Sequence, residues 1–149
     1  MMKTIKALVT IISVLTAVAE GVPPRNSTEG VPGSGFSDSC IHGGIYVEYE
    51  KPNFFSACKD GDGLYVTSMI DLNKCYGYDT SKDQLISKKD GNFQSAGCYD
   101  CDVPDDDHTL KCTCKGKQVT HNLNTVIGND FGILSCWGTH GVPLLTARY

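Results

Sequence analysis

The residues of this 149-residue chain that could do chemistry are eight cysteines, four histidines and one run of aspartates. Cys98-x-x-Cys101 followed by Cys112-x-Cys114 resembles a four-thiolate zinc site, since two close thiolate pairs can wrap one tetrahedral ion. Cys40, Cys58, Cys75 and Cys136 stand apart at wide spacings. An even cysteine count in a small chain with a secretory leader reads instead as four disulfides, and the tight Cys112-x-Cys114 spacing favours disulfides over metal. Asp105-Asp106-Asp107-His108 invites a calcium hypothesis, but its spacing matches no calcium loop, and a charged hairpin tip explains it. No metal and no other cofactor is expected.

His42, His108, His121 and His140 are scattered, and no Ser-His-Asp, Cys-His or paired-carboxylate arrangement emerges from their spacing. Acid-base or nucleophilic catalysis needs such groups within mutual reach. An enzyme is therefore the weakest reading.

The folded part of the chain begins after a leader. Lys3 and Lys6, the apolar run from Ala7 to Val18, and Ala17-Val18-Ala19 read as a signal peptide over residues 1–19, cut before Glu20. The run is too short for the ~20 apolar residues of a membrane span. A secreted, extracellular protein without a membrane span is expected. Losing the leader removes two of the 13 Lys and Arg, which leaves 11 against 17 Asp and Glu, a formal charge of −6. Nucleic acid is then not an expected partner, because phosphate binding draws on clustered cations. Residues 20–35 are rich in Gly, Pro, Ser and Thr and read as a flexible lead-in, with Asn26-Ser27-Thr28 as an N-glycosylation acceptor.

Beyond the lead-in the chain carries a faint tandem repeat. Phe36 is answered by Phe93, Cys58 by Cys114, Leu72 by Leu123 and Leu85 by Leu134, at offsets of 57, 56, 51 and 49. A steady drift fits two diverged copies with small deletions in the second. The copies run over about 36–85 and 93–136, and 137–149 is a tail.

Within the first copy, Ile45, Val47 and Tyr49 alternate with Tyr46, Glu48 and Glu50, the period of a half-buried strand; Pro52-Asn53 should turn the chain and Phe54 to Cys58 run back. Asp60-Gly61-Asp62-Gly63 and Gly128-Asn129-Asp130-Phe131-Gly132 are further turns. Ile70-Asp71-Leu72-Asn73 echoes Asn122-Leu123-Asn124, and its Asp and Asn suit a tight turn that bonds its own backbone. Helical periodicity is confined to a turn or two near Leu72 to Cys75 and Leu123 to Val126. The expected fold is all-β.

Phe-Ser-x-Ser-Cys at 36–40, Cys58 twelve residues before Ile-Asp-Leu-Asn, and Asn-Leu-Asn-Thr-Val-Ile-Gly-Asn-Asp-Phe-Gly-Ile-Leu at 122–134 together resemble the cyanovirin-N homologue family over 36–136. The resemblance implies two pseudo-symmetric halves whose repeats exchange segments, carbohydrate binding of mannose-rich glycans, no catalysis, and disulfides Cys40–Cys58 and Cys98–Cys114. For the other four cysteines the preferred pairing is Cys101–Cys112 with Cys75–Cys136. Cys101 and Cys112 flank the hairpin of Cys98 and Cys114, but their index sums differ by one, so that pairing requires a bulge.

Family sugar sites lie one per half, built from turn backbone and short polar side chains. Matched residue by residue, Asn129 and Ser39 fall in one site, and Asn92, Lys115 and Lys117 in the other. Several positions depart from the pattern. Phe131 stands in place of an aspartate, Lys59 in place of an acid, and Tyr78-Asp79-Thr80-Ser81-Lys82-Asp83 replaces a shorter turn that has glycine. Tyr76, Tyr78 and Phe131 read either as sugar platforms or as packing. A second function therefore stands beside the lectin: an interaction protein that kept the fold, lost the sugar sites and binds a protein partner.

Overall fold

The computed structural model describes residues 33–104 and 108–144. The expected signal peptide, Asn26, the aspartates 105–107 and the tail beyond 144 lie outside the described residues.

Each repeat opens with one turn of 3-10 helix, Phe36–Asp38 in the first and Phe93–Ala96 in the second. The first continues as an antiparallel sheet of β1 (Cys40–Glu48), β2 (Lys51–Lys59) and β3 (Tyr65–Asp71), a 3-10 turn at Leu72–Lys74, and a hairpin of β4 (Tyr76–Asp79) and β5 (Gln84–Ser87). The second has the same order: β6 (Cys98–Asp102), β7 (Thr109–Cys114) and β8 (Lys117–Asn122), a 3-10 turn at Leu123–Thr125, then β9 (Gly128–Asp130) and β10 (Ile133–Cys136). The architecture is all-β with two repeats, as the sequence implied.

The repeats also share register. Cys40 faces Cys58 and Cys98 faces Cys114 at the start of their ladders, and both pairs are disulfide-bonded. Each ladder then shifts, between Ile41 and Gly43 in one copy and between Tyr99 and Asp102 in the other. Cys101 bonds Cys112 across the second bulge, which absorbs the odd residue. Cys75 bonds Cys136, tying the chain after the first inner 3-10 turn to the end of β10.

The echoed Leu-Asn turns do more than reverse the chain. Asp71 Oδ1 accepts the N–H of Asn73 at 2.9 Å, and Asn122 Oδ1 accepts that of Asn124 at 2.8 Å, the local bonding expected of them. The second asparagine of each turn reaches across to the other copy. Asn73 Oδ1 accepts the N–H of Gln94 at 3.2 Å, and Asn124 Oδ1 accepts that of Ser37 at 3.0 Å. Each copy thus clasps the opening turn of its partner.

The hairpins are exchanged in the same sense. The Leu134 N–H on β10 donates to the buried hydroxyl of Ser68 on β3 at 2.9 Å. Tyr76 on β4 packs against Phe93 and His121 of the second copy, at centroid distances of 6.3 and 5.2 Å. Neither sheet is covered by its own hairpin. Phe54, Leu72, Tyr76, Phe93, Leu110, Leu123, Ile127 and Leu134 are fully buried and form one continuous core. Losing one of the aromatic members costs about 3–5 kcal/mol in such a setting, so the two copies stand or fall together.

Two local expectations are corrected. The chain turns at Tyr49-Glu50 and not at Pro52-Asn53; both turn residues are left-handed (φ 48° and 63°), the backbone that matches strand twist in a two-residue hairpin. Pro52 lies within β2 opposite Val47. The apolar alternation of β1 also fails at its end, where Val47 and Tyr49 are 60% and 89% exposed, because the hairpin tip projects past the core.

Both ends of the domain are held. Residues 33–35, at the end of the lead-in, lie on the second copy: Gly35 N–H donates to Asn124 O at 2.9 Å, and a Cβ on Gly33 would stand 2.5 Å from Gly128 N and Ser135 O. At the other end, β11 (Thr139–His140) pairs with β10 and β12 (Val142–Pro143) pairs with β3. Trp137 Nε1 donates to Cys75 O at 3.3 Å. The tail packs back on the body as far as Leu144.

Candidate functional site

The same short motif is found at both ends of the molecule. Lys59 N–H donates to Ser39 O at 2.8 Å, and Lys115 N–H donates to Gly97 O at 3.0 Å. The residue after each second half-cystine is therefore clamped to the residue before the first. Against each clamp lies the hairpin turn of the other copy.

At the first end that turn holds Asn129, and the structure brings it to Ser39 as the family pattern suggested. Asn129 Nδ2 donates to Ser39 Oγ and to Lys59 O, both at 2.8 Å, while its Oδ1 accepts the Gly132 N–H at 2.7 Å. Both polar atoms of the amide are thus engaged inside the protein. Phe131, left-handed at φ 49° and 59% exposed, lies on Gly61, where an added Cβ would come within 3.3 Å of its ring. Asp130 Oδ2 lies 2.5 Å from His140 Nε2 on β11.

At the second end the turn between β4 and β5 supplies Asp83. Its Oδ1 accepts the Tyr78 hydroxyl at 3.0 Å, and its Oδ2 pairs with the Lys117 ammonium. Lys115 Nζ stands 5.9 Å from the centre of the Tyr78 ring. Asp79 organises the turn, accepting from Ser81 N at 2.9 Å, Ser81 Oγ at 2.6 Å and Lys82 N at 3.3 Å.

These contacts set the protonation states. The hydrogen bond from Lys117, with a second from Tyr78, holds the Asp83 carboxyl below the usual range. Asp83 in turn raises Lys117, and partial desolvation, with Asp83 beside it, raises the Tyr78 phenol. The Ser81 hydroxyl lowers Asp79. The second end carries a fixed charge pair on an open surface.

Asn92 stands at the start of the Phe93–Ala96 turn in a left-handed conformation (φ 46°), and its backbone bonds run to Asn73 and Ser95. Of the aromatic candidates, Tyr76 is core, Tyr78 belongs to the second end and Phe131 to the first. Sequence reasoning missed Asp83 as a site residue. Its partner Lys117 lies 34 residues away in the other copy, so no local pattern could have linked them.

Exposed acceptors, ammonium donors and a phenol around fixed backbone turns suit neutral polyhydroxylated ligands, because fixed amides and carboxylates match hydroxyl groups. A CVNH domain model matches residues 36–135. The chain belongs to the CVNH family.

Solved CVNH structures share the fold. That of the T. borchii CVNH is 24% identical with a TM-score of 0.54, covering 68% of this chain and 97% of that one. The Gibberella zeae CVNH is 24% identical with a TM-score of 0.52, covering 68% and 96%. A MoCVNH3 variant in complex with (N-GlcNAc)4 is 18% identical with a TM-score of 0.55, covering 72% and 99%. Comparison with curated proteins gives no match. Beyond the matched CVNH stretch this chain adds β11 and β12. No helix among the described residues is long and apolar enough to cross a membrane.

Proposed function

We propose that this CVNH protein is a secreted, non-enzymatic lectin whose working site is the second end, formed by Tyr78, Asp83, Lys115 and Lys117. The observation that carries the choice of end is the contrast between the turns. Both polar atoms of Asn129 and both oxygens of Asp83 are engaged inside the protein, but the second end adds a charged pair whose side chains stay 41% (Asp83) and 65% (Lys117) exposed while being fixed by each other. A fixed but open pair can meet sugar hydroxyls without first being ordered. The (N-GlcNAc)4 complex of the MoCVNH3 variant supports a glycan as ligand class, and mannose-rich glycans are the class the family resemblance implies.

The test is a glycan array followed by titration. Binding to mannose-rich or N-acetylglucosamine oligosaccharides should fall at least about tenfold in Lys115→Ala and Asp83→Asn. The saturated Asn129 amide and the Phe131 turn favour a second reading for the first end, in which the fold is kept there for a protein partner. An array silent for the correctly disulfide-bonded protein would extend that reading to the whole molecule.

A further inference from the structure

A groove of about 390 Å³ separates the tip of the β1–β2 hairpin from the bulge of β6, and it is lined by none of Tyr78, Asp83, Lys115, Lys117 or Asn129. Its walls come from both copies: Val47, Glu50 and Pro52 on one side, Tyr99 and Asp100 on the other, with Gln94 between them. Gln94 Nε2 donates to Glu50 O, which ties the two walls together. The volume falls in the range of small-ligand sites, about 300–1,000 Å³.

The fold builds this groove twice. In the first copy the matching place, beside Ile41, Gly43 and His108, is a smaller groove of about 280 Å³. Ile41 stands there where Tyr99 stands in the second copy, and no carboxylate lines it among the described residues. In the larger groove Tyr99 is 52% exposed, and Glu50 and Asp100 are both left-handed, at φ 63° and 47°. Neighbouring acids face lysines across their ladders, Glu48 opposite Lys51 and Asp102 opposite Lys111. Glu50 in the turn and Asp100 in the bulge have no such cation opposite them, and neither enters an ion pair among the described residues. The Cys98–Cys114 bond holds β6 just before the bulge, and the Cys101–Cys112 bond pins the bulge itself.

An exposed aromatic ring beside two carboxylates that enter no ion pair among the described residues, in a preformed groove, offers an apolar face for the C–H side of a pyranose and acceptors for its hydroxyls. We propose that this groove is a further carbohydrate subsite, distinct from the hairpin-turn ends, that stacks one sugar ring on Tyr99 and takes its hydroxyls on Glu50 and Asp100. The inference rests on the lectin reading above and extends it to a place that reading does not use.

The experiment is amide NMR of the protein titrated with (GlcNAc)4 and, separately, with a mannose-rich oligosaccharide. Saturable shifts in residues 47–51 and 94–101 are expected with at least one of them. They should weaken about tenfold in Tyr99→Ala and also in Glu50→Gln or Asp100→Asn, which keep shape and backbone while removing charge. Shifts around residues 78, 83, 115 and 117 should be unchanged in those variants. Shifts confined to the hairpin-turn ends would overturn the subsite and leave the lectin standing. No shift anywhere with either sugar would overturn both.

Discussion

Asn129 Nδ2 donates to Ser39 Oγ at 2.8 Å across 90 residues of chain, so the β9–β10 hairpin is stitched to the residue that precedes the first cystine. Family pattern places both residues in a sugar site, but their geometry is that of a brace.

Asn129→Ala should therefore act on stability before it acts on ligand. It removes bonds to Ser39, Lys59 and Gly132 and is expected to cost about 2 kcal/mol in urea unfolding, with Ser39→Ala costing about 1 kcal/mol or less. Unchanged stability with abolished glycan binding would return Asn129 to the ligand.

The Asp83–Lys117 pair should hold over a wide pH range. A lowered carboxyl contributes above the ordinary carboxylate value and loses that contribution as pH falls through its lower folded value; a raised ammonium contributes below the ordinary lysine value and loses it as pH rises through its higher one. The pair thus persists from about pH 4 to about pH 10. Carboxyl-carbon NMR should find the Asp83 midpoint below the ordinary value, returning toward it in Lys117→Ala. Phenolate absorbance should show Tyr78 titrating lower in Asp83→Asn.

The two disulfides outside the family pair should differ in weight. Cys75–Cys136 closes 61 residues and Cys101–Cys112 closes 11. Loop-closure entropy puts their removal at about 4 and about 3 kcal/mol, and Cys75 and Cys136 are also fully buried. Unfolding of the paired Cys→Ala variants should rank the first as the more damaging; equal or reversed costs would contradict the ranking.

The tail should prove sensitive at one glycine. A Cβ on Gly141 would meet Met69 O at 2.5 Å, so Gly141→Ala must push β12 off β3. A loss of about 1–3 kcal/mol is expected, with faster amide exchange at Leu144, whose N–H donates to Thr67 O.

The echoed caps should cost alike. Asp71→Ala and Asn122→Ala each remove one Asx bond at the start of an equivalent 3-10 turn, and thermal melts should show about 1 kcal/mol for both.

The sequence alone determined what depends on neighbours in the chain: turn residues at Asp60-Gly61 and Phe131-Gly132, the self-bonding Asp71 and Asn122, the even cysteine count, and the doubled order of motifs. The index sums of Cys98–Cys114 and Cys101–Cys112 even implied the bulge, because an antiparallel ladder keeps that sum constant until a residue is inserted. Tertiary structure decided the rest. Whether Val47 is buried depends on how far the β1–β2 hairpin overhangs the core, and alternation along one strand carries no record of that distance. The clasps from Asn73 to Gln94 and from Asn124 to Ser37, the pairing of Asp83 with Lys117, and the groove shared by Glu50 and Asp100 all join residues from different copies. Because each copy covers its sheet with the other's hairpin, every candidate binding surface is assembled from residues far apart in the chain, and local pattern is silent about such contacts.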